Sequence, residues 1–555
     1  MITRRQALQG GGLLATSLFL AACGSGARPG LRAPGQSAGH NDINPMPRAR
    51  VRDGGELRWT LDAIPDNFNR IQFDGTNGET KEVMDALLPR DHFDLPDGTF
   101  ALDTNYFTSA KITSTAPQVV TYTINPKATW SDSKPITWQD LASQWRARNG
   151  SNPAFLTPGS TGYAEIASIT RGADDRQATL TYGKPFAEWQ GTFNPLYPVS
   201  TTSDPAIYNT GWINKIPTTA GPFTVESIDL SAKTITLRRN EKWWGERAKL
   251  DRIVFKVYER SALADALANN EIDFYEIASS VDLLRRAQTV PGVAVRQATG
   301  RPYNHITFNG AAGAILADVR LRRAIAKGID RAAIATRLIG QIVPGATSLG
   351  NHIYPYGAKY YQDNSKAVAF DQAAANRELD ELGWVRPTPG AVRTKNGQPL
   401  KLRFIGTAGN PISDAISKTT LDQLGQTGVQ LEIDAVSSAR LFVDFINVGN
   451  FDLVGFVWES TSTPFSSSRE IYAESKGNAV GQNYGRIFSP QITALFEQGL
   501  AELDDDKRAA IGNQADQLIW QEVHHLPLYP STGAYAVRAT LANFGAPGFA
   551  DIDYI

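Results

Sequence analysis

The stretch from Pro217 to Tyr258, PTTAGPFTVESIDLSAKTITLRRNEKWWGERAKLDRIVFKVY, decides the fold of this chain. Apolar and polar residues alternate in three short runs, and turn-forming residues separate the runs. The pattern predicts a β-meander whose three strands begin near Phe223, Thr234 and Ile253.

Two short motifs in this stretch go beyond simple alternation. T-A-G-P-F (219–223) begins the first strand, and R-N-E-K-W-W-G (239–245) follows the second. At this spacing they resemble the G-T-G-P-[YF] and R-N-x-x-Y-W motifs of the bacterial family-5 extracytoplasmic solute-binding proteins, the peptide/nickel-binding type. For these residues alone, a core hairpin with paired tryptophans in any β-rich domain is the alternative.

Length and composition narrow the class of protein. A chain of 555 residues is too long for one ordinary core, so two or three lobes are expected. The 55 basic and 56 acidic residues balance, so no global charge indicates nucleic-acid binding. The single cysteine excludes a disulfide framework, a second cysteine nucleophile and a cysteine-based metal site.

The first residues have the pattern of an export signal. Arg4 and Arg5 precede a short apolar run, and Leu-Ala-Ala-Cys ends the run at Cys23. This ending resembles the bacterial lipobox, which predicts a signal peptide over 1–23 and lipidation of Cys23. The apolar run is too short for a permanent transmembrane helix. The two arginines also resemble a twin-arginine signal, so export by the Sec or the twin-arginine route is open. Residues 24–53 lack apolar periodicity and predict a flexible tether.

Further motifs follow in the order that the family has them. They are W-S-D-S-K-P-I-T (130–137), F-N (308–309), L-A-D-V-R-L-R-R-A-I (316–325) and G-I-D-R (328–331). Ser133 replaces a glycine of the family pattern. With G-G-E-L (54–57) near the start and L-P-L-Y (526–529) near the end, the motifs span Gly54 to Tyr529, and the chain is identified as a member of the family. The basic residues of the third motif, Arg322 among them, are interpreted as a solvated helix face.

The resemblance implies a fold class and a division of the chain. The fold is α/β, the two-lobed periplasmic-binding-protein type II fold with a hinge, and a third subdomain is inserted in lobe one. Lobe one comprises residues 54–72, 204–299 and 526–555, the inserted subdomain residues 73–203, and lobe two residues 300–525. The chain crosses between the lobes near Gly300 and near Leu526. A ligand that touches both lobes would stabilise the closed form.

The resemblance also implies a function. The expected protein is an extracytoplasmic lipoprotein, anchored to the cell membrane and monomeric. It would capture an oligopeptide or another small polar solute and deliver it to an ABC permease and ATPase complex. A lipoprotein of the same fold without a transport role, which binds a glycan or glycolipid in cell-envelope assembly, is the alternative, and a secreted hydrolase is a remote one.

The ligand-binding residues are predicted from one departure from the family pattern. Peptide binders of the family carry W-x-x-D, whose aspartate pairs with the peptide α-ammonium. Here Thr461 stands at the aspartate position after Trp458, and Glu459 is the nearest carboxylate. The Ser/Thr-rich run 460–463 would suit a neutral polyol or a sugar. The predicted ligand contacts are Trp458, Glu459, Thr461, Asn309, Asn483 and Tyr484, the last three because their strands should end near the cleft.

No motif indicates catalysis. G-x-S-x-G, the P-loop and H-E-x-x-H are absent from the sequence, and the six histidines lack metal-ligand spacing. The adjacent pair His524 and His525 is interpreted as packing or surface. The sequence therefore predicts a protein that is not an enzyme, with no cofactor and no metal.

Overall fold

Residues 40–474 and 481–554 are described in the computed structural model, and in these ranges the strands form seven sheets. In chain order the strands are β1 (Asp42–Ile43), β2 (Glu56–Leu61), β3 (His92–Asp94), β4 (Phe100–Leu102), β5 (Phe107–Thr115), β6 (Gln118–Ile124), β7 (Ile166–Arg171), β8 (Gln177–Tyr182), β9 (Phe223–Asp229), β10 (Thr234–Arg239), β11 (Arg252–Val257), β12 (Phe274–Glu276), β13 (Val293–Gln297), β14 (Tyr303–Phe308), β15 (Thr394–Lys395), β16 (Gln398–Pro399), β17 (Lys401–Thr407), β18 (Gln430–Val436), β19 (Leu453–Trp458), β20 (His525–Pro530), β21 (Ala534–Arg538) and β22 (Gly545–Ala546).

The helices cover the sheets and connect them. In chain order they are α1 (Gly78–Met84), α2 (Trp138–Arg148), α3 (Val199–Thr202), α4 (Pro205–Thr210), α5 (Leu263–Ala268), α6 (Val281–Thr289), α7 (Val319–Lys327), α8 (Arg331–Ile339), α9 (Gln372–Glu381), α10 (Pro411–Gln426), α11 (Ser438–Arg440), α12 (Pro464–Tyr472), α13 (Pro490–Ala501) and α14 (Asp505–Glu522). Over the described ranges, none of the helices is long and apolar enough to cross a membrane.

The predicted meander is confirmed. β9, β10 and β11 form consecutive antiparallel pairs, and β2 adds to the free side of β11 in parallel, so the sheet order is β2-β11-β10-β9. Ile235, Leu237, Ile253 and Phe255 are fully buried on one face of this sheet. The parallel pairing joins residues 56–61 to residues 252–257, as expected for one lobe that is interrupted by an insertion.

A separate sheet, β5-β6-β8-β7, lies wholly inside the predicted insertion. Helix α2 begins with the predicted capping box, in which the backbone N–H of Thr137 donates to Asp140 Oδ2 over 2.8 Å. In the turn before it, Ser133 has a φ of +68°, the left-handed region that favours the glycine of the family pattern.

The sheet that carries the predicted site has the order β18-β17-β19-β14-β20. The hinge prediction near Gly300 agrees with the sheets, since β13 pairs with β21 and the next strand, β14, pairs with β19 and β20. The return crossing lies later than predicted. β20 still pairs with β14, so the chain changes sheets between Pro530 and Ala534 and not at Leu526. The other lobe boundaries stay predictions.

Part of the predicted tether is docked on the globular body, which corrects the prediction of flexibility for residues 42–50. β1 pairs with β22, and Arg296 donates to Asp42 Oδ1 over 3.2 Å. Arg48 forms an ion pair with Glu246 at 3.3 Å. Backbone pairing and charge contacts fix this segment although its composition lacks apolar periodicity. Residues 1–39, with the predicted signal peptide and Cys23, lie outside the described residues.

The interpretation of the α7 arginines as a solvated face is wrong for Arg322. Its side chain is buried and donates to the backbone oxygens of Leu316, Ala317 and Glu522. Glu522 also provides a carboxylate at 3.3 Å. The guanidinium thus joins the start of α7 to the end of α14, and its charge is compensated inside the protein.

We expect Ser133→Gly to raise the free energy of unfolding by up to about 1 kcal/mol, because the relief of a left-handed φ outweighs the freedom that glycine adds to the unfolded chain. Chemical denaturation measures the change. The control is Ser168→Gly in β7, where φ is ordinary and the same substitution should cost about 0.5–1 kcal/mol. Equal destabilisation by both substitutions would contradict the strain at Ser133.

Candidate ligand-binding site

Trp458 lies at the end of its strand, on the side of the sheet where the chain crosses to another sheet. It is the last residue of β19 and pairs with Tyr303, the first residue of β14. Tyr303 also pairs with Pro530, the last residue of β20. The candidate loop that follows Trp458 therefore starts beside both crossings, where a ligand between lobes would touch it.

An aromatic stack fixes the Trp458 ring. The ring is nearly parallel to His305 (centroids 5.6 Å apart, 15°) and to Tyr484 (5.6 Å, 5°). Two of the predicted ligand contacts, Trp458 and Tyr484, thus lie together. Contacts with these two rings hold the Trp458 ring at the start of the candidate loop. Its buried Nε1 has no hydrogen-bond partner among the described residues.

His305 of this stack belongs to a group of four buried histidines. His525 lies 4.7 Å from His305 and 4.8 Å from His352, centroid to centroid, and His524 is buried next to it in the chain. Burial lowers the pKa of His305, His524 and His525 well below the ordinary value, so these rings are neutral at physiological pH. His352 Nδ1 lies 2.7 Å from Asp516. Within the described ranges, no group of three or more His, Cys, Asp or Glu side chains has the geometry of a metal site.

Carboxylates from three distant segments surround the start of the loop. Glu82 belongs to α1, Glu276 ends β12, and Glu459 directly follows β19. Burial raises the pKa of all three, and for Glu82 the value reaches about 8. The charge of Glu276 adds to the effect on both Glu82 and Glu459, so Glu276 repels each of the other two carboxylates. More than a third of Glu459 is exposed, so its own shift is the one most weakened by water.

Two cations partly offset the raised pKa values, Lys81 at Glu82 and Glu459 and Arg260 at Glu276, and Lys81 has acidic partners of its own. Lys81 contacts Asp85 and lies 3.2 Å from Asp551. Trp59 Nε1 donates to Glu82 Oε2 over 3.0 Å, a neutral donor that leaves the carboxyl without a cationic partner of its own among the described ion pairs. Tyr535 in β21 is the pairing partner of Glu276 in β12 and so lies beside these carboxylates. The arrangement attracts a positively charged group.

The hydroxyl-rich run after Glu459 is partly committed to its own turn. Thr461 Oγ1 accepts from the backbone N–H of Thr463 over 3.2 Å and lies 3.2 Å from the Thr463 hydroxyl. Ser462 contacts the carboxyl of Asp94, which Arg301 pairs at 3.0 Å. Thr461 therefore stands in the candidate loop, with its hydroxyl engaged in a local turn.

The strand pairing contradicts the placement on which the prediction of Asn309 was based. β14 and β19 are antiparallel, so Asn309, after the last residue of β14, lies at the opposite end of the sheet from Trp458. Its buried amide donates to the carbonyls of Gly449 (3.0 Å) and Phe451 (2.8 Å) and accepts from the N–H of Ala311 (3.2 Å). The side chain holds a loop together.

Asn483 also makes its hydrogen bonds within the protein. It is buried, its amide donates to the Ile487 carbonyl over 2.8 Å, and its oxygen accepts from the Ile487 N–H over 3.2 Å. This reciprocal pair closes the turn that carries Tyr484. Asn483 thus positions the neighbouring tyrosine, and its own polar atoms face the protein.

Glu82 and Glu276 are not predicted from the sequence. Both lie far along the chain from Glu459, and neither belongs to a motif that marks a cleft. Only the position of Glu276, at the end of the strand β12 that follows α5, could have indicated a cleft edge. Folding brings together carboxylates that the sequence keeps 377 positions apart, 82 to 459.

Comparison with known proteins gives one family. The family described as "Bacterial extracellular solute-binding proteins, family 5 Middle" matches residues 105–479. The "Oligopeptide-binding protein OppA" of Mycobacterium tuberculosis is 47% identical over 519 residues, 93% of this chain and 86% of that protein. The "Probable monoacyl phosphatidylinositol tetramannoside-binding protein LpqW" of the same species is 25% identical, over 81% of this chain and 74% of that protein.

Solved structures have the same two-lobed fold. The "Periplasmic EDTA-binding protein EppA" superposes with a TM-score of 0.83 at 25% identity, covering 94% of this chain and 97% of that one. The oligopeptide-binding protein AppA of Bacillus subtilis, in complex with a nonapeptide, gives a TM-score of 0.75 at 17% identity and covers 90% and 97%.

We expect Asn309→Ala to lower the free energy of unfolding by about 2–3 kcal/mol, because two buried carbonyls lose their donor. Ligand affinity should stay within about threefold of the wild type, since the residue lies at the far end of the sheet. Denaturation and ligand titration of the same preparation measure both quantities. A large loss of affinity with unchanged stability would restore Asn309 as a ligand contact.

Proposed function

The chain belongs to family 5 of the bacterial extracellular solute-binding proteins, and we propose that it captures an oligopeptide between its two lobes. In this proposal the closed, loaded protein delivers the peptide to an ABC permease and its ATPase. The extensive identity to an oligopeptide-binding protein supports the ligand class. The comparisons name solute-binding proteins, which supports a role without catalysis.

The observation that carries the proposal is the carboxylate group at the start of the candidate loop. Thr461 replaces the aspartate of the family pattern, but Glu459 lies two residues earlier and Glu276 and Glu82 lie near it. A peptide α-ammonium placed among them would relieve their mutual repulsion and form charge-assisted hydrogen bonds. Trp458 would border the same group.

A glycan or glycolipid is the second candidate ligand, supported by the 25% identity to a protein named for a mannoside-bearing lipid. The Ser/Thr run 460–463 would supply hydroxyl partners to a sugar. Two observations favour the peptide instead. The Thr461 hydroxyl is already hydrogen-bonded to Thr463. Carboxylates that have lost water are stabilised more by a cation than by a neutral polyol.

Anchoring and partners complete the proposal. Lipidated Cys23 would hold the protein at the outer face of the cell membrane after export by the Sec or twin-arginine route, as a monomer that docks on its permease. The lobes would be residues 54–72, 204–299 and the C-terminal segment for lobe one, 73–203 for the insertion and the segment from Gly300 for lobe two. No cofactor or nucleic acid enters the proposed cycle.

We expect peptide binding at pH 6 to release close to one proton. Glu82 has a pKa of about 8 in the free protein and is protonated at pH 6, whereas a bound ammonium lowers that pKa and expels the proton. The peptide amine, with an ordinary pKa of about 8, stays protonated at pH 6 and adds no uptake. Calorimetry in two buffers of different ionisation enthalpy counts the protons.

The matched ligand for this experiment is the same peptide with an acetylated N-terminus. It should bind more weakly and release no proton, and a neutral glycan should release none either. Equal affinity and equal proton counts for the free and acetylated peptides would show that the carboxylates do not receive the ammonium.

We expect Glu459→Gln and Glu276→Gln each to weaken peptide affinity by about 10- to 100-fold, the value of a hydrogen bond to a charged group. The control is Glu271→Gln, an exposed residue three positions before the start of β12. It should leave affinity unchanged. Titration of the three variants with one peptide measures the effect, and unchanged affinity in both site variants would overturn the assignment.

A further inference from the structure

Glu188 caps a helix that begins 276 positions later in the chain, at 464. Its Oε1 accepts from the backbone N–H of Phe465 over 2.9 Å. Its Oε2 accepts from the N–H of Ser466 over 2.7 Å and from the Ser466 hydroxyl over 2.6 Å. The carboxylate is 8% exposed. One side chain thus satisfies the first donors of α12.

The helix has no cap of its own. The first N–H groups of any helix lack partners inside it, and Thr463, at the N-cap position of α12, makes no capping hydrogen bond with its side chain. A carboxylate at this end also meets the positive end of the helix dipole. Glu188 therefore performs the function that a local Ser, Thr or Asp performs in α9 and α14, where Asp371 and Asp504 are the caps.

The cap joins two parts of the molecule that have separate sheets. Glu188 follows β8, in the sheet inside the predicted insertion, whereas α12 belongs to the segment that contains β14 and β19. Two more hydrogen bonds accompany it. The N–H of Ala187 donates to the Leu500 carbonyl over 2.7 Å, and the Thr161 hydroxyl donates to the Glu470 carboxylate. The three contacts form a short strip between the insertion and lobe two.

The capped helix starts directly after the candidate ligand loop. Five positions separate Glu459 from Pro464, the first residue of α12. Phe465 is fully buried beside Phe496 and Tyr354 in the same part of the chain, so the start of α12 moves with lobe two. Any separation of the insertion from lobe two must pull Glu188 off the two N–H groups.

We propose that Glu188 is a closure latch. It forms its cap on α12 when the lobes close, holds the 459–463 loop in its ligand-binding position and releases both when they open. This inference rests on the proposed function, since it assigns the closing step of the same binding site. Burial raises the pKa of Glu188 and so costs part of what the three hydrogen bonds contribute. The latch is therefore reversible, because an opened Glu188 regains its water.

The latch makes affinity depend on Glu188 although this residue need not touch the ligand. The apparent dissociation constant is the intrinsic constant divided by the fraction of binding-competent protein. Loss of a helix cap shifts such an equilibrium by roughly 5- to 30-fold. We expect Glu188→Ala to weaken peptide affinity within this range, and Glu188→Gln, which keeps one carbonyl acceptor, to fall between Glu188→Ala and the wild type.

The matched control is Asp371→Ala, which removes the cap of α9 within lobe two; Asp371 accepts from the Ala374 N–H over 2.8 Å. Three readouts separate a latch from an ordinary cap: amide hydrogen exchange at residues 465 and 466, peptide affinity, and the radius of gyration by small-angle X-ray scattering without ligand. Glu188→Ala should speed exchange at the start of α12, weaken affinity and enlarge the ligand-free protein. Asp371→Ala should speed exchange in α9 and leave affinity and radius unchanged.

Faster exchange in Glu188→Ala with unchanged affinity and unchanged radius would show an ordinary structural cap and would overturn the latch. Unchanged exchange at 465 and 466 would overturn it as well. If the wild type binds no peptide, the proposed function fails, whereas the ligand-free radius and exchange still decide the latch.

Discussion

The antiparallel pairing of β14 with two neighbours is the constraint on which the architecture depends. Its first residue, Tyr303, pairs with Trp458 on one side and with Pro530 on the other. Both chain crossings and the candidate loop consequently meet at one end of one strand. β14 is buried on both faces, so a slip of one residue would place each side chain in the packing of the opposite face. The register, and with it the position of the candidate site, is therefore strongly specified.

The sequence predicts the local features of this fold well. Alternation locates the meander. Asp318 and Asp330, residues of a type that favours the N-cap position, accept from the Arg320 and Ala333 N–H groups. Asn396-Gly397, a dipeptide typical of hairpin turns, joins β15 and β16. Each of these features is decided by residues within a few positions of one another, where propensity and capping chemistry act.

Features that depend on distant partners are the ones that sequence reasoning misses. The prediction of Asn309 failed because the direction of the neighbouring strand decides which end of β14 faces the cleft. Arg322 is buried because Glu522, 200 positions away in the chain, receives it. The carboxylates around Glu459 come from three segments, and no local pattern shows that they converge. The stack that joins Trp458 to Tyr484 and His305 likewise depends on residues from three segments, and their role as ligand contacts stays a prediction.

Desolvation has opposite effects on the two kinds of titratable side chain at the candidate site. It lowers the pKa of His305 and His525, which keeps these rings uncharged, and it raises the pKa of Glu82 and Glu276. An ammonium bound among the carboxylates would supply the charged partner that replaces their lost water.

The Glu188 cap on α12 affects how long a solute stays bound. In the proposed latch the cap must break before the lobes open, so its hydrogen bonds act on the dissociation of a bound solute. The residence time of a captured solute is then set by how often a buried carboxylate leaves two backbone N–H groups. A permease that receives the solute must supply the free energy needed to break this contact. Release of the solute would then depend on how strongly the permease binds the separated lobes.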